Sequence, residues 1–273
     1  MNQCWWFLSL LVFVRAVSHL EQQWHSWKER HGKLYMDIEE EHQRRNIWLD
    51  NLDKIEKFNN GATGNFSLAI NQFADLVKNQ GSHCKQSSWA FSAVAAIEGQ
   101  YYRETGQLVT LSEQQLIDCT TGFGNAGCHG GRMINSFKYA IKNGGLCQES
   151  DYDYLGYKWH CMSEYCSSVA HCVDYTRVKI GSEVALLDAI YRAGPVSVGV
   201  DATNYHFQFY SDGVYAESGC NSHSLNHGML LVGYGVTWGT SWGDRGYMKI
   251  ARNMNNMCGV ATAASYPTVK QSD

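Results

Sequence analysis

The stretch Asn79-Gln80-Gly81-Ser82-His83-Cys84-Lys85-Gln86-Ser87-Ser88-Trp89-Ala90-Phe91-Ser92 decides how this chain is read. Its second half opens a helix. Serine is a good N-cap, and Ser87-Ser88 is followed by Trp89, Phe91, Val94, Ala95 and Ile97 at helical spacing. Working toward the C-terminus, the pattern predicts further helices at Leu111 to Ile117 and Met133 to Ile141. Beyond Cys172 it turns to strands at Pro195–Val200, Gly228–Tyr234 and Tyr247–Ala251, with one helix at Glu183–Arg192. A helical half followed by a β half reads as an α+β protein rather than an alternating parallel-sheet fold.

Toward the N-terminus the composition changes. Residues 19–60 are charged and helical in pattern, with Trp24, Trp27 and Leu34 on one apolar stripe and Trp48, Leu52, Ile55 and Phe58 on another. A Gly-Ala-Thr-Gly-Asn break and a strand-like segment from Phe66 to Phe73 come next, and a domain boundary is placed near Leu76. The apolar run from Cys4 to Val14, with Ala16 and Ser18 spaced for cleavage, reads as a secretory signal peptide over residues 1–18. It is too short to span a membrane, which takes about 20 apolar residues.

Whole-chain numbers exclude several classes. With 273 residues, 44% hydrophobic and 18% charged, the chain buries a sizeable core and is not disordered. A net charge of −4 without any Lys/Arg tract argues against nucleic-acid binding. Ten cysteines behind a secretory leader favour disulfides. Cys161, Cys166 and Cys172 with His160 and His171 form a Cys/His cluster, but it lacks the second paired-ligand spacing of structural zinc, so no metal is expected.

The opening stretch, from Asn79-Gln80-Gly81 through Cys84 to Ser88-Trp89-Ala90-Phe91-Ser92, resembles the active-site segment of papain-family cysteine proteases, in particular the cathepsin L group. Gly127-Cys128-His129-Gly130-Gly131, Leu225-Asn226-His227-Gly228 and Cys258-Gly259-Val260-Ala261 agree with it. Upstream, Glu40, Arg44, Trp48, Asn51, Ile55 and Asn59 resemble the long helix of that family's inhibitory pro-region. Asn71, Phe73 and Asp75 match its next segment, with Ala69 in place of a glycine. The resemblance implies a papain-like two-lobed fold, with a helical left lobe and a β-barrel-like right lobe, preceded by a helical pro-region over 19–76 and with the peptidase domain over 77–273. It also implies an endopeptidase of lysosomal or secreted type, without cofactors, acting as a monomer on polypeptides or binding peptide-like ligands in its cleft.

Such enzymes use a thiolate at a helix N-terminus, stabilised by the helix dipole and an imidazolium, with an amide side chain orienting the imidazole and a glutamine helping to hold the oxyanion. The catalytic positions implied here are Gln80, Ser88 and His227. Ser88 stands where the nucleophilic cysteine belongs, and Val236 stands where the orienting asparagine belongs. A hydroxyl is not ionised in this way, so cysteine-protease activity is not expected. The loop from Gln80 to Ser88 is two residues longer than the family pattern. Two segments are missing: the stretch through the cleft to the first mature strand, where Asp75-Leu76 joins directly to Val77-Lys78, and the strand before Trp238. Both resemble skipped exons or a faulty gene model more than tuned divergence.

The resemblance further implies disulfides Cys84–Cys128, Cys119–Cys161 and Cys220–Cys258, leaving Cys147, Cys166 and Cys172 with at least one thiol unpaired or paired between chains. It places a substrate-binding pocket at Gly130, Gly131, Met133, Gly199, Leu225 and Ala263, with Arg132 at its rim. Gly239-Thr240-Ser241-Trp242-Gly243 fits the G-x-S-x-G elbow of serine hydrolases, but that elbow needs a strand before and a helix after it. Asp244 to Ala251 reads instead as a turn and a strand. Asn65-Phe66-Ser67 is a glycosylation sequon. Three functions are open to such a chain: an inactive relative that binds peptides, residual hydrolysis through Ser88 and His227, or a non-productive variant with an exposed sheet edge.

Overall fold

The computed structural model describes residues 19–61, 64–77, 84, 87–233, 235–237 and 242–270, with the backbone alone at 235–237. The expected leader, Cys4 and Gln80 lie outside the described residues. Helix α1 covers 19–30 and α2 runs Ile38–Gly61. Their apolar stripes meet except at Leu34, which lies past the end of α1 and is exposed: Trp24, Trp27, Trp48 and Ile55 are buried with Leu68, Ala74 and Phe209 in one core. Trp24 stacks on Trp27 at 5.3 Å and meets Trp48 edge-on at 5.6 Å, the offset and T-shaped geometries that aromatic quadrupoles favour.

The segment read as a strand from Phe66 to Phe73 is shorter. Only β1, Phe66–Leu68, is extended, and a turn occupies 72–75. Asn71 causes the change: its Oδ1 accepts from the Phe73 N–H and its Nδ2 donates to the Gln208 carbonyl, an Asx turn that breaks the extended run.

The helical lobe comes next. Helix α3 is Ser88–Thr105, α4 Glu113–Cys119 and α5 Met133–Asn143. Ser112 caps α4 by accepting from the Gln115 N–H at 3.0 Å. Gly106 and Gly144, at φ of 72° and 74°, end α3 and α5 in the left-handed conformation that glycine adopts without penalty. Ala90, Ala93, Ile97, Leu116, Phe137 and Ala140 are fully buried in this lobe's core.

The remaining elements are β2 (Cys172–Arg177), α6 (Glu183–Ala193), β3 (Val196–Val200), α7 (Tyr205–Gln208), β4 (Tyr210–Tyr215), β5 (His227–Leu231), β6 (Gly235–Thr237), β7 (Tyr247–Ile250) and β8 (Ser265–Val269). The strands form one sheet in the order β1-β4-β7-β6-β5-β3-β8-β2, antiparallel except for the parallel β4–β7 pair. This corrects the barrel-like expectation: the sheet is open, with β1 and β2 at its two edges. Its own core holds Val196, Val198, Val200, Phe207, Tyr215, Trp242 and Met248. The N-terminal region does not stand apart from this sheet. β1 pairs with β4, Phe66 opposite Gly213, so the upstream segment supplies an edge strand.

Among the described residues four disulfides are formed. Cys84–Cys128, Cys119–Cys161 and Cys220–Cys258 are the three that the resemblance implies. Cys147 pairs with Cys166, which leaves Cys172 as a buried free thiol on β2. Burial pushes that thiol up to about 12, so it stays protonated and inert. Among the described residues no helix is long and apolar enough to cross a membrane, and no group of His, Cys, Asp or Glu side chains is arranged to hold a metal ion.

Candidate active site

The site lies where the first turn of α3 meets the first residues of β5. Two hydrogen bonds fix that meeting. Ser92 Oγ, one turn into α3, donates to the Met229 carbonyl at 2.6 Å, and Ser197 Oγ on β3 donates back to the Ser92 carbonyl at 2.7 Å. Both are buried, where an unmade hydrogen bond is costly, so helix and sheet are held in one register. Gly228 makes the approach close. A Cβ there would stand 2.9 Å from the Ser88 carbonyl oxygen and 3.0 Å from Trp89 backbone atoms, so only glycine fits without displacing α3.

That approach brings Ser88 to the backbone of β5, one residue past His227. The Gly228 N–H donates to Ser88 Oγ at 3.0 Å, across 140 residues of sequence. The serine does not cap its helix: Ser87 is the N-cap residue, and its hydroxyl donates to the Cys84 carbonyl instead. Trp89 next to it is buried and donates its indole N–H to the Gly127 carbonyl. Gly131 lies under the same indole, where a Cβ would fall 2.5 Å from the ring.

His227 opens β5, paired opposite Val200, and burial pushes its imidazole down to about 4. Its ring meets Phe207 edge-on at 5.9 Å. Phe207 is in turn held by Trp242, whose indole N–H donates to the Phe207 carbonyl at 3.2 Å and the Gln208 carbonyl at 3.1 Å. Sequence reading missed both aromatics as parts of this site. Trp242 drew notice only within the serine-hydrolase-like pentapeptide, of which residues 239–241 lie outside the described residues. After Trp242 the chain makes a turn and enters β7, without the helix that a nucleophile elbow needs.

The expected pocket residues fall into two groups. Gly199, opposite Gly228 on the paired strands, lies against Leu225 and Ala263: a Cβ on it would stand 2.9 Å from Leu225 Cδ1 and 3.6 Å from the Ala263 Cβ. Gly131 lies against the Trp89 ring at the start of α3, Gly130 before it closes the turn at 127–129, and Met133 is buried at the start of α5. Val236 falls in β6, paired with Leu231 of β5 and Met248 of β7.

Comparison with known proteins agrees with this arrangement. Residues 69–268 match the family model described as papain family cysteine protease, and residues 24–80 match the cathepsin propeptide inhibitor domain. The chain is 37% identical to cathepsin L of Sarcophaga peregrina, over 96% of this chain and 98% of that protein. It is 38% identical to cathepsin L2 of Homo sapiens, over 92% and 93%. The first alignment runs over 333 positions, more than 273 residues can fill, so it opens gaps of tens of residues in this chain. Among solved structures, procathepsin L 3 from the larval midgut of Tenebrio molitor superposes with a TM-score of 0.81 at 34% identity, covering 91% of this chain and 98% of that one. The recombinant stem bromelain precursor gives 0.84 at 28% identity, covering 92% and 99%.

Proposed function

Since the chain belongs to the papain family of cysteine proteases, among relatives of cathepsin L type, we propose that it is an inactive cathepsin L-like homologue whose cleft holds peptide-like segments without cleaving them. One observation carries the reading. The group presented at the α3 N-terminus is the hydroxyl of Ser88, already engaged by the N–H of Gly228, the residue after His227.

The residue types set the chemistry. A helix N-terminus and one imidazole lower a thiol enough to ionise it, but an alcohol starts far too high. Resting activation would also need an imidazolium, and burial keeps His227 neutral above about pH 5. As a general base an imidazole near 4 is poorly matched to proton abstraction at neutral pH. Valine at position 236 offers no amide to orient it. Ser88 and His227 are therefore assigned as the remnant of the catalytic pair, with Gln80 as the remaining oxyanion candidate. Gly130, Gly131, Met133, Gly199, Leu225 and Ala263 are assigned as the peptide-binding surface. The upstream region to Leu76 is taken as the pro-region, and the chain as a monomer of the secretory pathway, in lysosomes or outside the cell.

The test uses the purified full chain, a fluorogenic peptide and the variants Ser88→Ala, Ser88→Cys and Gly199→Trp. We expect no hydrolysis by the natural chain. We also expect measurable peptide binding that Gly199→Trp removes while the near-ultraviolet circular dichroism is retained. Hydrolysis that vanishes in Ser88→Ala would overturn the reading and make the chain a serine-dependent hydrolase. Absence of peptide binding by the folded chain would equally overturn it.

A further inference from the structure

Asn65-Phe66-Ser67, the chain's one Asn-x-Ser/Thr sequence, lies on the outermost strand of the sheet. Asn65 immediately precedes β1 and is exposed; Ser67, two residues on, is exposed as well. Phe66 between them turns inward, 5.1 Å from the Phe58 ring and 5.0 Å from the Tyr215 ring. Extended backbone alternates faces, so the two polar side chains of the triplet share the solvent side while the aromatic one anchors it. The Asn65 carbonyl accepts from the Val214 N–H at 2.8 Å, which fixes the backbone and leaves the amide side chain presented outward.

The outer edge of β1 is covered at one end. Asn59 on α2 takes up both backbone groups of Leu68, accepting from its N–H at 3.0 Å and donating to its carbonyl at 2.8 Å. The other end of the strand carries the sequon instead.

We propose that Asn65 is an N-glycosylation site and that its glycan stands over the Asn65 end of the β1 edge, doing there what Asn59 does at the Leu68 end. The reaction is glycosyl transfer from a lipid-diphosphate-linked oligosaccharide in the secretory lumen. The Asn65 amide nitrogen bonds to the anomeric carbon, the bond from that carbon to the diphosphate oxygen breaks, the lipid diphosphate leaves, and the amide gives up one proton to the transferase. The folded chain accepts the product because Asn65 is exposed. Exposed strand edges are templates for pairing with another copy, and a bulky solvated group beside the edge blocks that pairing. The inference rests on the secretory reading but not on inactivity of the cleft.

The full chain is expressed in eukaryotic cells behind an independent cleavable leader, with a C-terminal tag whose own sequon reports entry into the lumen. Amidase treatment is expected to remove two glycans from the natural chain and from Ser67→Thr, but one from Asn65→Gln and from Ser67→Ala. An occupied tag beside a bare Asn65 would overturn the site. Size-exclusion chromatography of the amidase-treated folded chain is expected to show a concentration-dependent shift to larger species. An unchanged profile would overturn the edge-blocking role.

Discussion

The pro-region and the cleft carry equally recognisable family patterns, yet they have fared differently. In the pro-region each motif residue has a structural task. Glu40 pairs with Arg44, which donates to the Asp75 carbonyl; Asn51 donates to the Ala74 carbonyl at 2.8 Å; Asp75 receives Lys33 at 2.8 Å and the Tyr35 hydroxyl at 3.1 Å. The region also grips the rest of the molecule, through the β1–β4 pairing and through Asn71 and Phe73, each bonded to Gln208. In the cleft, Gly228, Trp89 and Gly131 make close contacts around Ser88, and on the proposed reading it is the chemistry there, not the packing, that is lost. Packing and catalysis are separable demands on a sequence. On the proposed reading, the residues that satisfy buried backbone groups remain here, while the nucleophile and its orienting amide are replaced by Ser88 and Val236.

The largest expected effect tests the intact side. Trp48 is buried against Trp24 and Trp27, so Trp48→Ala should cost about 3–5 kcal/mol in urea unfolding. A loss below about 1 kcal/mol would show that the pro-region is loosely built, since burial of this kind is otherwise expensive to undo. Next is Asn59→Ala, which leaves both backbone groups of Leu68 without their partner and should cost about 1–3 kcal/mol. Amide exchange at Leu68 should accelerate with it. Unchanged exchange would mean that the edge is held by the β4 pairing alone.

On the cleft side, Gly228→Ala should cost about 1–3 kcal/mol, because its methyl group meets α3 backbone rather than a side chain that can swing away. Retained stability would show that α3 and β5 shift apart freely, and the comparison with the pro-region would then lose its packing half.

Much of this was legible from sequence because it depends on local pattern. α4, α5, α6 and β3 start and end within two residues of where helical or alternating periodicity puts them, and α3 starts at the expected serine pair. The open sheet was not legible, since no local signal says whether strands close on themselves; that depends on the parallel β4–β7 pairing of segments more than thirty residues apart. The Cys147–Cys166 pairing was not legible either, because three leftover cysteines allow three pairings and only the fold selects one. In the site, Ser88 and His227 are marked by their neighbours in sequence. Phe207 and Trp242 act by ring contacts and indole bonds across separate elements, and no spacing encodes those.

The smallest expected effect distinguishes the two lobes beside the cleft by pH. In the helical lobe, burial pushes the Glu113 carboxyl up to about 7, and the nearby Glu149 and Glu98 carboxylates push in the same direction. Glu98 is itself raised, chiefly by burial and also by Glu149. A carboxyl raised in the folded state keeps its proton while the unfolded chain loses it, so folding stability falls as pH rises from about 4.5 to about 7 and is level outside that window. His227 runs the other way. Its folded value of about 4 lies below the unfolded 6.5, so its contribution to stability rises with pH between those values. The two nearly offset each other below pH 6.5, and a net decline on the order of 1 kcal/mol should remain as pH approaches 7. Urea midpoints across pH 4 to 8 read it directly. Glu113→Gln should remove the decline and leave a rise between pH 4 and 6.5, because only His227 then titrates with a shifted value of that size, and His227→Phe should extend the decline down to about pH 4.5. A profile unchanged by Glu113→Gln would remove Glu113 as the source of the acid preference.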